Sequence, residues 1–134
     1  PKLAFHLGSV SKKSKQYEKA IAAYETALEM DPGYVKARYN LSLTYMDVKQ
    51  YENAVESFDR MIEVDGESYR AYYSQGLSYY YLARYDEALE AFDMAMEFKE
   101  TVNLFNNIGL VYDKLGDKKQ TAEWYKKAKA LKEG

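Results

Sequence analysis

The chain has 134 residues, of which 47% are apolar and 30% are charged, with one histidine and no cysteine. A chain of this length buries enough surface to hold a core without disulfides or a structural metal. The lack of cysteine excludes disulfide frameworks, thiolate metal sites and cysteine nucleophiles, and a single His6 argues against an imidazole metal cluster. Nineteen basic and 21 acidic residues give a net charge of −2, so neither nucleic-acid binding nor attraction to an anionic membrane is expected.

The chain repeats itself with a period of about 34 residues, which is the range of helical repeat architectures. The segment 17–28 returns at 51–62 and at 85–96, and a weaker copy follows one residue early at 118–129. Within each copy, apolar residues recur at spacings of three and four over two windows, and no window alternates with the period of a strand. We therefore predict an all-α single domain, 1–134, made of eight helices in the repeats 1–34, 35–68, 69–101 and 102–134.

Turn residues separate these predicted helices. Asp31, Pro32 and Gly33 lie between the first two repeats, and Gly116 with Asp117 separates the two helices of the last one. Small residues recur within the helices, where they let two helix axes approach closely. They are Gly8, Ser42, Gly76 and Gly109 on the first helices and Ala20, Ala54, Ala88 and Thr121 on the second helices. We expect the aromatic rings at positions 24, 58, 92 and 125 to fill the space between repeats.

At these residues the sequence resembles the tetratricopeptide repeat family. Its pattern of aromatic, Leu-Gly and Tyr in the first helix is matched by Phe105, Ile108-Gly109 and Tyr112, and similar matches occur in the second and third repeats. Ala4 and Arg38 depart from the pattern, because a large aromatic residue is usual at their position. The resemblance implies a right-handed superhelical solenoid whose first helices line a concave groove and whose second helices form the convex face.

Catalytic chemistry is poorly represented in the sequence. Ser9 and Lys12 match a Ser-x-x-Lys spacing without the companion motifs of that enzyme class. Asp86, Glu90 and Asp93 have the spacing of a solvated helix face rather than of a carboxylate pair. We therefore expect no enzyme activity, no cofactor and no metal.

The concave face that the resemblance implies contains the candidate binding residues. This face carries apolar side chains, basic residues and one polar residue at the same position of every repeat. The candidate peptide-binding groove consists of Phe5, His6, Lys13, Lys36, Tyr39, Asn40, Leu43, Arg70, Tyr73, Ser74, Leu77, Tyr80, Tyr81 and Asn107. Exposed aromatic and apolar surface of this kind usually marks a binding site. The alternative is that several of these rings pack between repeats.

Two further properties of this face indicate its ligand. The polar series His6, Asn40, Ser74 and Asn107 could hydrogen-bond the backbone of an extended peptide. The predicted face also carries more basic than acidic residues, although the whole chain is acidic. The basic residues are Lys2, Lys12, Lys13, Lys36, Arg70 and Lys114, and the acidic ones are Asp47 and Asp113. An apolar ligand with acidic groups is expected.

The two ends of the array differ. Ala122 and Lys129 replace apolar residues at positions that face the next repeat, so the array is expected to stop at its C-terminal end. Leu3 and Val10 stay apolar at the other end, so a preceding segment or a second copy is expected to cover them. The start at Pro1, without Met, suggests a fragment or a processed product.

The sequence thus predicts a protein–protein interaction module that binds a partner peptide or helix in its concave groove. The partner is a protein, and neither nucleic acid nor membrane insertion is expected. The alternative is a structural scaffold or homo-oligomer that assembles through its ends, with the N-terminal end as the contact. Without a visible signal peptide or transmembrane run, we expect a cytoplasmic location.

Overall fold

The computed structural model describes all residues from 1 to 134 and contains eight α-helices and no β-strand. Consecutive helices pack in pairs, one pair for each sequence repeat. The helices are α1 (Lys2–Lys13), α2 (Tyr17–Met30), α3 (Val35–Asp47), α4 (Tyr51–Val64), α5 (Tyr69–Tyr81), α6 (Tyr85–Phe98), α7 (Val102–Lys114) and α8 (Lys118–Glu133). The predicted all-α fold of four helix pairs is confirmed.

The turn inside each pair has the same backbone conformation. One residue adopts a left-handed φ of 59°, 63°, 58° or 79° in successive pairs. The next amide then bonds back to the first helix, as Gln16 does to the Ser11 carbonyl at 2.8 Å, which ends that helix. Glycine tolerates this conformation without a steric penalty, but a glycine occupies the position only in the last turn. The four residues are Lys15, Lys49, Ala83 and Gly116.

Side-chain caps begin three of the four later helices. Ser68 accepts from the Ala71 amide at 3.1 Å, and Thr101 accepts from the Leu104 amide at 3.0 Å. Asp117 caps α8 in the same way. Each cap satisfies one of the amides that a helix N-terminus leaves without an internal partner.

The connection between α6 and α7, residues 99–101, is one residue shorter than the connection 31–34.

The chain forms two compact units, residues 1–66 and 67–134, and each contains one main core cluster. In both units the cluster joins the second helix of one repeat to the first helix of the next. In unit 1 it consists of Ala20, Tyr24, Ala27 and Leu28 of α2 with Ala37 and Leu41 of α3. In unit 2 it consists of Ala88, Phe92 and Ala95 of α6 with Leu104, Ile108 and Val111 of α7.

The aromatic ring of each second helix also packs inside its own pair. A Cβ built on Gly76 would lie 2.5 Å from Phe92 Cε1, and one built on Gly8 would lie 2.6 Å from Tyr24 Cε1. The rings were expected between repeats, and they also occupy the space that the missing side chains leave within each pair. These contacts explain why small residues recur on the first helices.

No helix combines the length and the apolar character that crossing a bilayer requires.

Candidate functional site

In unit 1 the first-helix surface is formed by α1 and α3, which contact each other. Lys12 Nζ lies 4.0 Å from Asp47 Oδ2 and joins the two helices. Burial lowers the pKa of Lys12, and the Asp47 charge opposes that shift. Asp47 thus offsets part of the positive charge on this surface, whereas Lys13 and Lys36 stay exposed.

The predicted aromatic residues of unit 1 contribute to packing. Phe5 is half-buried and stacks on Tyr34 with a centroid distance of 5.3 Å. Tyr39 is also half-buried, with its ring 6.5 Å from that of Phe58. Leu43 is half-buried as well. These side chains are therefore only partly accessible to a ligand.

The predicted polar series is partly engaged within unit 1. Asn40 Nδ2 donates to the Lys36 carbonyl of its own helix at 2.8 Å. That bond uses the amide nitrogen and leaves the amide oxygen as an acceptor. His6 is exposed.

In unit 2 the first-helix surface is formed by α5 and α7. Asn107 Nδ2 donates to the Tyr73 hydroxyl at 2.7 Å and joins the two helices. Burial raises the pKa of Tyr73, while the hydrogen bond from Asn107 acts in the opposite direction. The Tyr73 ring stacks on Tyr69 with a centroid distance of 5.6 Å. This tyrosine therefore positions α7 against α5 as well as bordering the surface.

Ser74 differs from its expected place in the polar series. It is only 7% exposed, and Ser78 Oγ donates to its carbonyl at 3.0 Å. The hydroxyl therefore lies beneath the surface where a peptide would bind. The 34-residue spacing that suggested the series predicts which side of a helix a residue lies on, but it does not predict how deeply that side chain is buried.

The exposed apolar part of unit 2 is narrower than the predicted belt. Tyr80 and Leu77 are half-buried against the core cluster, and the Tyr80 ring meets Tyr81 edge-on at 5.5 Å. Tyr81 is 57% exposed, and Leu110 of α7, one turn after Asn107, is 38% exposed. Arg70 is exposed near the start of α5. Tyr81 and Leu110 are thus the apolar side chains of this surface that are most available to a partner.

The prediction from sequence missed Arg60 altogether and treated Arg38 only as a departure from the family pattern. Both line a cleft in unit 1. The available signal was an arginine at a position where the pattern wants an aromatic ring. Elsewhere, no three His, Asp or Glu side chains come together as a metal-ligand set.

Comparison with solved structures supports the same fold. "Crystal structure of MamA protein" is 27% identical with a TM-score of 0.92, covering 98% of this chain and 72% of that chain. "Crystal structure of MamA" is 28% identical with a TM-score of 0.89, covering 94% and 74%. "MamA 41-end from Desulfovibrio magneticus RS-1" is 22% identical with a TM-score of 0.91, covering 97% and 74%, and it bears on the fold alone. No curated protein sequence matches the chain.

Family models give the same result from the sequence. One tetratricopeptide repeat model matches residues 12–76, and a second matches residues 69–101 and 102–134. Repeats of this kind support a protein-interaction or scaffold module. With four helix pairs and matches along nearly its whole length, the chain belongs to the tetratricopeptide repeat family.

Proposed function

We propose that the first-helix surface of each unit takes part in capturing a peptide or helix of a partner protein. The observation that carries the proposal is the pair Tyr81 and Leu110 in unit 2, which are 57% and 38% exposed. Tyr81 lies at the end of α5 beside the half-buried Tyr80, and Leu110 lies on α7. Exposed tyrosine and leucine side chains are the kind of anchor that dominates binding energy at protein interfaces.

The first-helix surface of each unit also carries an asparagine that suits a peptide backbone. Asn40 and Asn107 each donate through Nδ2 to a group within the protein. Their Oδ1 atoms are then oriented acceptors for peptide N–H groups. Both asparagines therefore act in the proposed site as acceptors of hydrogen bonds from the peptide backbone.

Charge favours a ligand with acidic groups. Lys13 and Lys36 in unit 1 and Arg70 in unit 2 are exposed. Exposed charges of this kind raise the association rate more than the affinity. We expect acidic residues in the partner to accelerate binding at low salt.

The test is selection of peptides that bind the folded chain, followed by calorimetry with Tyr81→Ala and Leu110→Ala. Each substitution should weaken the best peptide about tenfold or more, because it removes an apolar anchor. Met94→Ala is the matched control, since Met94 is 37% exposed and lies on the second helix α6. Unchanged affinity in a folded Tyr81→Ala, Leu110→Ala double variant would reject the surface.

A second candidate function, assembly of a scaffold, rests on the exposed side of α1. Leu3, Leu7 and Val10 are 82%, 58% and 47% exposed. The corresponding residues of α7 are buried in the unit 2 core and are Leu104, Ile108 and Val111. This side of α1 therefore has the character of a packing surface, and we propose self-association of the chain through it as the alternative.

Sedimentation equilibrium tests this alternative. Self-association through α1 predicts a concentration-dependent mass that Leu7→Glu abolishes. Leu131→Glu on α8, where the side chain is 39% exposed, should leave the mass unchanged. A monomer at all concentrations would reject the scaffold and would leave the peptide surface untouched.

A further inference from the structure

Unit 1 contains a cleft of about 360 Å³ between α2, α3 and α4. Its floor is apolar and buried, with Leu28 of α2 and Leu41 of α3 at 7% and 3% exposure. The half-buried Arg38 and Tyr45 line it from α3. The volume lies within the range of small-molecule sites. Most of the lining residues are polar or charged, so a ligand here would be held chiefly by charge and hydrogen bonds.

The cleft exists because two side chains of the second repeat are not aromatic. In the fourth repeat the corresponding residues are Phe105 and Trp124, whose rings pack at a centroid distance of 5.5 Å. In the second repeat Arg38 and Ser57 take their places, and both line the cleft. The same helix pair thus has a filled space in one repeat and an open one in the other.

Two arginine side chains, Arg38 and Arg60, line the cleft. Neither Arg38 nor Arg60 forms a side-chain ion pair or hydrogen bond. Burial lowers the pKa of Arg38, the Arg60 charge lowers it further, and Tyr45 opposes the shift. A ligand carboxylate between the two would offset their repulsion and could accept from both planar groups.

Carboxylates complete the lining with the opposite charge. Glu25 accepts a hydrogen bond from the Tyr45 hydroxyl at 3.2 Å. Glu29 and Glu56 are exposed and form no ion pair with either arginine. A ligand with a second negative charge would be repelled by these two, whereas an ammonium group would be attracted.

We propose that this cleft binds a small zwitterion of the α-amino-acid type. Its carboxylate lies between Arg38 and Arg60, its ammonium group approaches Glu29 or Glu56, and its apolar side chain covers Leu28. The site is separate from the first-helix surface of the proposed function and goes beyond it. An amino acid bound here would stabilise unit 1 by mass action.

Titration with three matched probes, followed by amide NMR shifts, tests the charge requirement. L-leucine carries both charges, L-leucinamide lacks the carboxylate, and N-acetyl-L-leucine lacks the ammonium group. We expect L-leucine to shift the amides of Tyr45 and Ser57 and to bind at least about tenfold more tightly than either derivative. Equal binding of the three probes, or no shift with L-leucine at millimolar concentration, overturns the proposal. Arginine-dependent binding of inorganic phosphate alone, without L-leucine binding, would reveal a plain oxyanion site and also overturns it.

Variants test the location. Arg38→Gln should weaken L-leucine about tenfold or more, while Lys36→Gln, which removes an exposed cation from the same helix outside the cleft, should not. Arg38→Phe restores the aromatic type found at Phe105 and should abolish binding while raising the melting temperature. That variant keeps the test valid if the glutamine variant unfolds. L-leucine binding that survives Arg38→Phe, or that is lost equally in Lys36→Gln, overturns the assignment.

Discussion

Units 1 and 2 use the same helix-pair geometry but fill it differently. In unit 2 the core cluster is surrounded by aromatic side chains, among them Tyr72, Tyr80 and Trp124. Unit 1 has fewer rings around its cluster and leaves an open, charged cleft beside it. The difference shows that the small residues of the first helix, packed against the rings of the second helix, specify the helix pair. The aromatic residue near the start of a first helix, such as Phe105, can be replaced by a residue such as Arg38 without a change of fold.

The largest expected effect comes from giving unit 2 the arginine of unit 1. Phe105 is 6% exposed and packs on Trp124. Phe105→Arg would bury a guanidinium without a partner, so it should cost about 3 kcal/mol or more of the free energy of unfolding. Urea denaturation followed by Trp124 fluorescence measures it, because Trp124 is the only tryptophan and lies in unit 2. Phe105→Tyr serves as the control, and a loss below about 1 kcal/mol in the arginine variant would show that this position is as permissive in unit 2 as in unit 1.

The second prediction concerns the close contacts that both units share. Gly76→Ala places a Cβ against the fully buried Phe92, and Gly8→Ala does the same against Tyr24. The steric cost exceeds the gain in helix propensity, so each variant should lose about 1–2 kcal/mol. Gly109→Ala should be nearly neutral, because the opposing Tyr125 ring is 38% exposed and can turn outward. Thermal unfolding of the three variants measures these losses of stability. A loss of stability in Gly109→Ala as large as in Gly76→Ala would contradict this account.

A smaller effect is expected at the hydrogen bond that joins the first helices of unit 2. Asn107→Ala removes the donor to the Tyr73 hydroxyl and should cost about 1 kcal/mol. Because that donor favours the phenolate, its loss should also raise the pKa of Tyr73 further. NMR titration of the Tyr73 ring and denaturation measure the two effects, with Asn103→Ala, at an exposed residue of the same helix, as the control. An unchanged Tyr73 titration would mean that the hydrogen bond is not formed in solution.

The raised pKa of Tyr73 also predicts the response to alkali. The neutral phenol is favoured in the folded state, so its contribution is complete below the unfolded pKa of about 10 and is lost as the pH rises through the higher folded pKa. Tyr45 in unit 1 behaves the same way, because burial and the neighbouring Glu25 raise its pKa. Tyr73→Phe should therefore flatten the alkaline loss of stability in unit 2, whereas Tyr45→Phe should leave the unit 2 signal of Trp124 unchanged.

The smallest effects are expected at the two ion pairs. Arg84 and Glu87 in unit 2 share two hydrogen bonds, at 2.8 and 2.6 Å, whereas Lys12 and Asp47 in unit 1 are 4.0 Å apart. Glu87→Gln should cost about 0.5 kcal/mol and Asp47→Asn less, since exposed pairs are screened by solvent. Repeating the denaturation at high salt should reduce both losses. A larger loss for Asp47→Asn would show that this pair fixes α1 against α3 more firmly than its distance indicates.

The sequence predicted the regular part of the molecule well. Gly8, Gly76 and the residues spaced around them fix the helix pairs, because period and side-chain size are local properties of the sequence. The depth of Ser74 and the internal bond of Asn40 were not predictable, since both depend on how far one helix rotates against its neighbours. The cleft was missed because Arg38 was noted only as a departure from the family pattern, and whether the space left by the absent rings at Arg38 and Ser57 stays open depends on how the neighbouring helices pack.

The left-handed turn residues have a consequence for how stable this protein could become. Lys15, Lys49 and Ala83 hold a conformation that costs an L-residue about 1 kcal/mol, while Gly116 holds it without that cost. Replacing any of the three by glycine should raise the free energy of unfolding by about 0.5 kcal/mol. Glycine removes the cost of the left-handed conformation, but part of that gain is offset because the unfolded chain becomes more flexible. Selection has therefore not driven these turns to their optimum, and substitution at these three positions should stabilise the protein while its helices and cores stay unchanged.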